Sequence, residues 1–118
     1  MRNLGYQRTD KIKRAVHREV ANLLQRMNDP RSSFVTITNV EITKDLEIAK
    51  IYYSVLSSDK KLEVETMFKR AKGFIRTHLA EKLLLRKALE VRFIYDEFLE
   101  QSQRVLNLLD KIKDDTSK

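Results

Sequence analysis

Two segments, "FVTITNVEIT" (residues 34–43) and "EIAKIYYSVL" (residues 47–56), constrain this chain more than anything else in it. Both are rich in β-branched and aromatic residues and contain neither glycine nor proline, the composition of a pleated, half-buried surface. Lys44-Asp45 supplies a turn between them, so the pair reads as an antiparallel hairpin. In the second strand Ala49, Ile51, Tyr53 and Val55 fall on one face, and Lys50, Tyr52 and Ser54 on the other. In the first, the apolar phase slips between Val35/Ile37 and Val40/Ile42. That slip predicts a bulge near Thr38 and Asn39.

A hairpin with one apolar face needs a cover, and the flanking segments provide it. Residues 9–27 carry Ile12, Val16, Val20, Leu23 and Met27 at spacings of three and four, with Thr9 or Asp10 able to cap the start. Asn28-Asp29-Pro30 ends this helix, because the residue before proline is pushed out of helical geometry. Lys11, Arg14 and Arg18 lie roughly opposite its apolar stripe. After the polar connection "SSDKK", where Ser58 or Asp59 can cap, Leu62, Met67, Phe68 and Ala71 give a second helical pattern. Ile75, Leu79 and Leu83 form a further row, widened by Phe74, Leu84 and Leu85, and Arg86 continues it with its stem expected along the core. Leu89, Val91, Phe93 and Tyr95 alternate with Glu90, Arg92 and Ile94 as a third strand. Phe98, Ser102, Val105, Leu109 and Ile112 make a last helix.

The order is therefore α-β-β-α-kink-α-β with a C-terminal helix. It predicts an α+β fold in which helices cover one face of a three-stranded sheet. The 118 residues fit one domain, over 1–113, with 114–118 a disordered tail.

Charge narrows the function. The net +7 is unevenly spread: residues 1–26 carry +5 and residues 60–92 carry +6, while residues 27–59 and 93–118 carry −2 each. Clustered positive charge attracts phosphates, so a polyanionic partner is expected. Gly73, one of two glycines, sits between two helical patterns with Lys69, Arg70, Lys72 and Arg76 around it. Glycine permits a bend, and a bend would free backbone N–H groups at the start of a second helix. Those amides, the helix dipole and the neighbouring cations would together form a phosphate site.

Other chemistries find little support. The chain has no cysteine and only two histidines, His17 and His78, which have no metal-ligand partner at helical spacing and read as surface or boundary residues. Two distant glycines cannot build a phosphate-binding loop. No enzyme, cofactor or metal is expected. No apolar run is long enough to span a bilayer, and the N-terminus lacks a signal-peptide core, so a cytoplasmic, monomeric protein is expected. A protein-interaction module or a DNA-binding module is the alternative, although a helix-turn-helix would not place a hairpin before its helices and a strand directly after them. Tyr52 is the one aromatic residue expected on the open strand face, which favours recognition of RNA shape and backbone over base readout.

At these residues the chain resembles the bacterial ribosome-binding factor A family. The likeness is carried by Asp29-Pro30-Arg31, Phe34-Val35-Thr36-Ile37-Thr38, Val40, Asp45-Leu46, Ala49-Lys50 and Ser54-Val55. It resumes at Gly73-Phe74-Ile75-Arg76, Leu79-Ala80, Leu85-Arg86, Phe93, Asp96 and Leu108-Leu109. The resemblance implies a type II KH-like fold whose usual Gly-x-x-Gly loop is replaced by an Ala-x-Gly kink, here Ala71-Lys72-Gly73. It further implies a factor that binds the maturing 30S subunit and assists processing of the 16S rRNA 5′ end, especially in the cold. The expected RNA-binding residues are Lys11, Arg14, Arg18, Arg31, Lys69, Arg70, Lys72, Gly73 and Arg76. The chain departs from the family where Leu89 replaces a frequent proline before the third strand, and where Phe98 and Ser102 replace small residues after it.

Overall fold

The structure is a computed structural model that describes residues 4–97 and 105–112, with side chains from Arg8 onward. Helix α1 (Leu4–Arg26) leads into a 3-10 turn at Pro30–Phe34, then strands β1 (Val35–Ile42) and β2 (Ile48–Val55). A short 3-10 turn at Ser58–Lys60 precedes helix α2 (Lys61–Lys82), which is followed by β3 (Glu90–Tyr95). Residues 105–112 are also helical. The expected Phe98 and Ser102, and the tail at 114–118, lie outside the described residues.

The hairpin forms in the expected register, from Val35 opposite Val55 to Ile42 opposite Ala49, and slips between Ile37 and Asn39. Thr38 is thus the extra residue of a bulge, which lets Ile37 and Val40 both face the core. Its hydroxyl donates to the Asp96 carboxylate at 2.8 Å, tying the bulge to the end of β3. The turn is closed by Asp45, which accepts from the Thr43 hydroxyl and the Glu47 N–H, and it holds Leu46 in left-handed geometry (φ 59°). β3 pairs with β2 in parallel, so the order is β1-β2-β3 with β2 central. A parallel neighbour requires a crossover connection, and α2 is that connection.

Both helices pack on one sheet face. Val16, Val20, Leu23 and Leu24 of α1 and Val64, Met67, Phe68, Ile75 and Leu79 of α2 close over Ile37, Val40, Ala49, Ile51, Tyr53 and Val91. Val16 and Ile51 are fully buried and Leu79 is 1% exposed, as the alternating and helical patterns require. Phe68 links the α2 layer to the sheet, stacked on Phe93 at 4.1 Å between centroids and tilted against Tyr53 at 4.8 Å. This is the expected α+β, type II KH-like arrangement.

Two local expectations are overturned. The expected division into two helices is absent: α2 keeps its helical hydrogen bonding from Lys61 to Lys82, through Ala71, Lys72 and Gly73, and Gly73 has no positive φ. Its buried row continues through the half-buried Ala71, so the core row is continuous and no second helix N-terminus is created. Arg86 does not extend the core row either. The helix has already ended at Leu83, the Leu85 N–H closes back on the Ala80 carbonyl, and Arg86 is exposed. Of the side chains expected to widen the apolar surface, Phe74 and Leu84 are exposed, as is Leu62 of the expected helical row.

Leu84 occupies the left-handed position just past the helix end (φ 52°), where glycine is the unstrained residue, and its side chain is 89% exposed. Leu84→Gly should therefore stabilise the fold by about 1 kcal/mol. Chemical denaturation should show a higher midpoint at unchanged slope; a lower midpoint would mean that the side chain packs.

Candidate nucleic-acid interface

Packing both helices on the sheet leaves the outer surface of the helical layer to the charged residues. Taking ~100° per residue, Lys11, Arg14 and Arg18 all fall within ~40° of the line opposite Val16 on α1, and all three are exposed. On α2, Gly73 lies ~180° from the buried Val64, at the crest of the helix. Lys69 and Arg76 flank that crest on one side and Arg70 on the other; all are exposed. Lys72 is turned toward the sheet edge, where it lines a shallow cleft of about 160 Å³ with Lys69, Glu65, Tyr53, Phe68 and Phe93. An added Cβ at Gly73 would meet nothing within 4 Å. Close internal packing is therefore not the reason for a glycine here.

Neutralisation by neighbouring carboxylates sorts these cations. Arg14 pairs with Asp10 at 3.0 Å and Lys69 with Glu65 at 3.9 Å, both one helical turn apart. Such i, i+4 pairs are visible in a sequence and, being exposed, neutralise their cations only in part. Arg31 is held most firmly, forked onto both oxygens of Asp29 at 3.0 and 2.7 Å. The same carboxylate accepts the Arg31 N–H at 2.9 Å and caps the 3-10 turn. The clue was present as an aspartate placed directly before Pro-Arg. Lys11, Arg18, Arg70, Lys72 and Arg76 make no ion pair among the described residues.

Two further polar contacts lie away from this surface. His78 sits between the helices, its Nε2 3.5 Å from a Glu19 oxygen, with both side chains largely buried. Tyr52 on the open sheet face donates to Glu41 at 3.3 Å. Among the described residues no three His, Asp or Glu side chains gather to hold a metal ion. No helix among them is long and apolar enough to cross a membrane.

A protein-family model described as ribosome-binding factor A matches residues 8–109, which include every basic residue of this surface. The chain belongs to the ribosome-binding factor A family. It is 40% identical over 114 residues to ribosome-binding factor A of Desulfatibacillum aliphaticivorans, covering 95% of this chain and 91% of that protein. The Neisseria meningitidis ribosome-binding factor A is 36% identical over 109 residues, with 92% and 89% covered. The fold is that of the Thermus thermophilus ribosome-binding factor A crystal structure (TM-score 0.65, 20% identity, 74% of this chain and 94% of that one). A Thermotoga maritima solution structure gives a TM-score of 0.56 at 32% identity, over 75% and 82%. A Thermus thermophilus ribosome-binding factor A homology model, fitted into the cryo-EM map of a 30S complex, gives 0.54 at 23% identity over 74% and 89%.

The Asp29–Arg31 clamp has a measurable consequence. The hydrogen bonds from Arg31 hold the Asp29 carboxyl down at about 2, against an ordinary 3.8. Because the folded value is depressed, the clamp is fully formed above the ordinary value and is lost as pH falls through about 2. Carboxyl NMR should find Asp29 titrating there, and Arg31→Met should return it toward 3.8. Titration at the ordinary value in the unmodified chain would mean that the clamp does not form in solution.

Proposed function

We propose that this chain is a non-catalytic assembly factor that binds the maturing 30S subunit through the outer surface of its helical layer. It grips the 16S rRNA backbone there and assists processing of the 5′ end, with greatest effect in the cold. It acts as a cytoplasmic monomer. Family membership and the 30S complex of the Thermus thermophilus relative support the partner. The observation that carries the site is the set of five exposed cations without an ion pair among the described residues, Lys11, Arg18, Arg70, Lys72 and Arg76, around Gly73 at the crest of α2.

In a continuous α2 the amides around Gly73 are already hydrogen-bonded within the helix, so affinity comes from side-chain cations alone. The glycine serves a different purpose: without a Cβ, a sugar-phosphate backbone can lie closer to the helix. Arg14 and Lys69 contribute less, since each would have to leave a carboxylate. Arg31 contributes less while it clamps Asp29, since two of its guanidinium N–H groups are engaged there.

If five phosphates are neutralised, log affinity for purified 30S subunits should fall with log salt at a slope of roughly −4 to −5. Lys72→Ala/Arg76→Ala should melt like the unmodified protein, flatten that slope by about two units and accumulate unprocessed precursor rRNA in cells. A double variant with unchanged slope and affinity would remove α2 from the interface.

Gly73→Ala separates function from folding. Alanine fits the open space and has the higher helix propensity, so stability should rise by about 1 kcal/mol. Affinity for 30S subunits should fall in the same variant. A stabilised protein that binds as tightly as before would show that the crest is not approached by RNA.

A further inference from the structure

Among the described residues, only Leu46 and Leu84 combine a side chain with positive φ, at 59° and 52°. Both line one cleft of about 620 Å³, between the β1–β2 turn, the first turns of α1 and the exit from α2. Glycine would relieve both positions, and the chain forgoes it at each. Leu84 in particular contributes almost nothing to packing, being 89% exposed. Strain retained at two positions of one cleft, with an apolar side chain held out to solvent, points to a contact made outside the chain.

The lining says what that contact is. Ile12, Leu46, Leu83 and Leu85, all half-buried, form an aliphatic floor, with the exposed Leu84 beside them. Arg8, Lys11, Arg86 and Lys87 stand around it, all exposed and without an ion pair among the described residues. Asp45 and Glu47 occupy the hairpin side, where Asp45 is engaged by the Thr43 hydroxyl and the Glu47 N–H. The cations attract carboxylates and phosphates alike. The floor separates them, because a sugar-phosphate backbone has no aliphatic side chain to bury on it. Branched aliphatic carbon instead fits a leucine, isoleucine or valine side chain, with the segment's carboxylates directed to the four cations and away from Asp45 and Glu47.

We propose that this cleft is a docking site for an acidic protein segment, which inserts an aliphatic anchor against Leu46 and Leu84 while Arg8, Lys11, Arg86 and Lys87 hold its carboxylates. The site lies at the turn end of the sheet, apart from the crest of α2, and shares only Lys11 with the RNA surface.

The test uses fluorescence anisotropy of the full chain with two labelled probes. One is a synthetic peptide with leucines at i, i+3, i+4 and i+7 among glutamates; the other is single-stranded oligouridylate. The peptide should bind, and its salt dependence should weaken in Arg86→Gln/Lys87→Gln. Leu84→Gly should raise the melting temperature and yet weaken peptide binding by about tenfold, so misfolding cannot explain the loss. Lys72→Ala/Arg76→Ala should bind the peptide normally, which keeps failure of the RNA surface distinct from failure of the cleft. Absence of peptide binding, or equal affinity in Leu84→Gly, would overturn the proposal. So would a cleft whose variants lose oligouridylate and not peptide, since that result would assign it to RNA.

Discussion

The structure depends on β2 being buried on one face and hydrogen-bonded on both edges. Ala49, Ile51 and Tyr53 point into the helical layer, while the backbone between them pairs with β1 on one side and β3 on the other. Side chains alternate with a period of two, so a slip of one residue would expose all three. The bulge at Thr38 resolves the one conflict in this arrangement, because without it β1 could not present both Ile37 and Val40 to the core. The bulged residue then reaches Asp96 beyond β3, so the irregularity also joins the two outer strands of the sheet.

One-sided burial organises the charge. With the helices committed to a single sheet face, each keeps a narrow inward stripe and offers the rest of its circumference to solvent. The basic residues of α1 and α2 are consequently gathered on one outer layer, although about 50 residues separate them in the chain. Their availability is set by their neighbours. Asp10, Asp29 and Glu65 each take a cation that composition alone would assign to the interface, and what remains is a smaller and more sharply placed positive surface.

Exposed apolar groups complete the outer surface. Val105, Leu106, Leu108, Leu109 and Ile112 of the helical segment 105–112 are each more than half exposed, as are Leu56, Leu62, Phe74 and Leu84. Leu84 stands apart from the others because its backbone conformation is itself unfavourable for leucine. An exposed leucine on a helix needs no special account, whereas one held in left-handed geometry does.

Amino-acid order alone determined the hairpin, its bulge, the inward faces of α1 and β2 and the alternation of β3, because period and phase are local properties of the chain. It also determined where positive charge is concentrated, and it carried the family likeness. The continuity of α2 was harder to see. Ala71 bridges the row between Phe68 and Ile75 so weakly that the pattern reads as broken beside a glycine, and only burial against the sheet shows that the row is unbroken. The parallel pairing of β3 with β2, the Thr38–Asp96 bond and the meeting of Leu46 with Leu84 in one cleft all join residues 38 or more positions apart. No local pattern encodes such contacts. They were decided by the tertiary structure, where burying one face of a three-stranded sheet brings distant residues to the same side of the molecule.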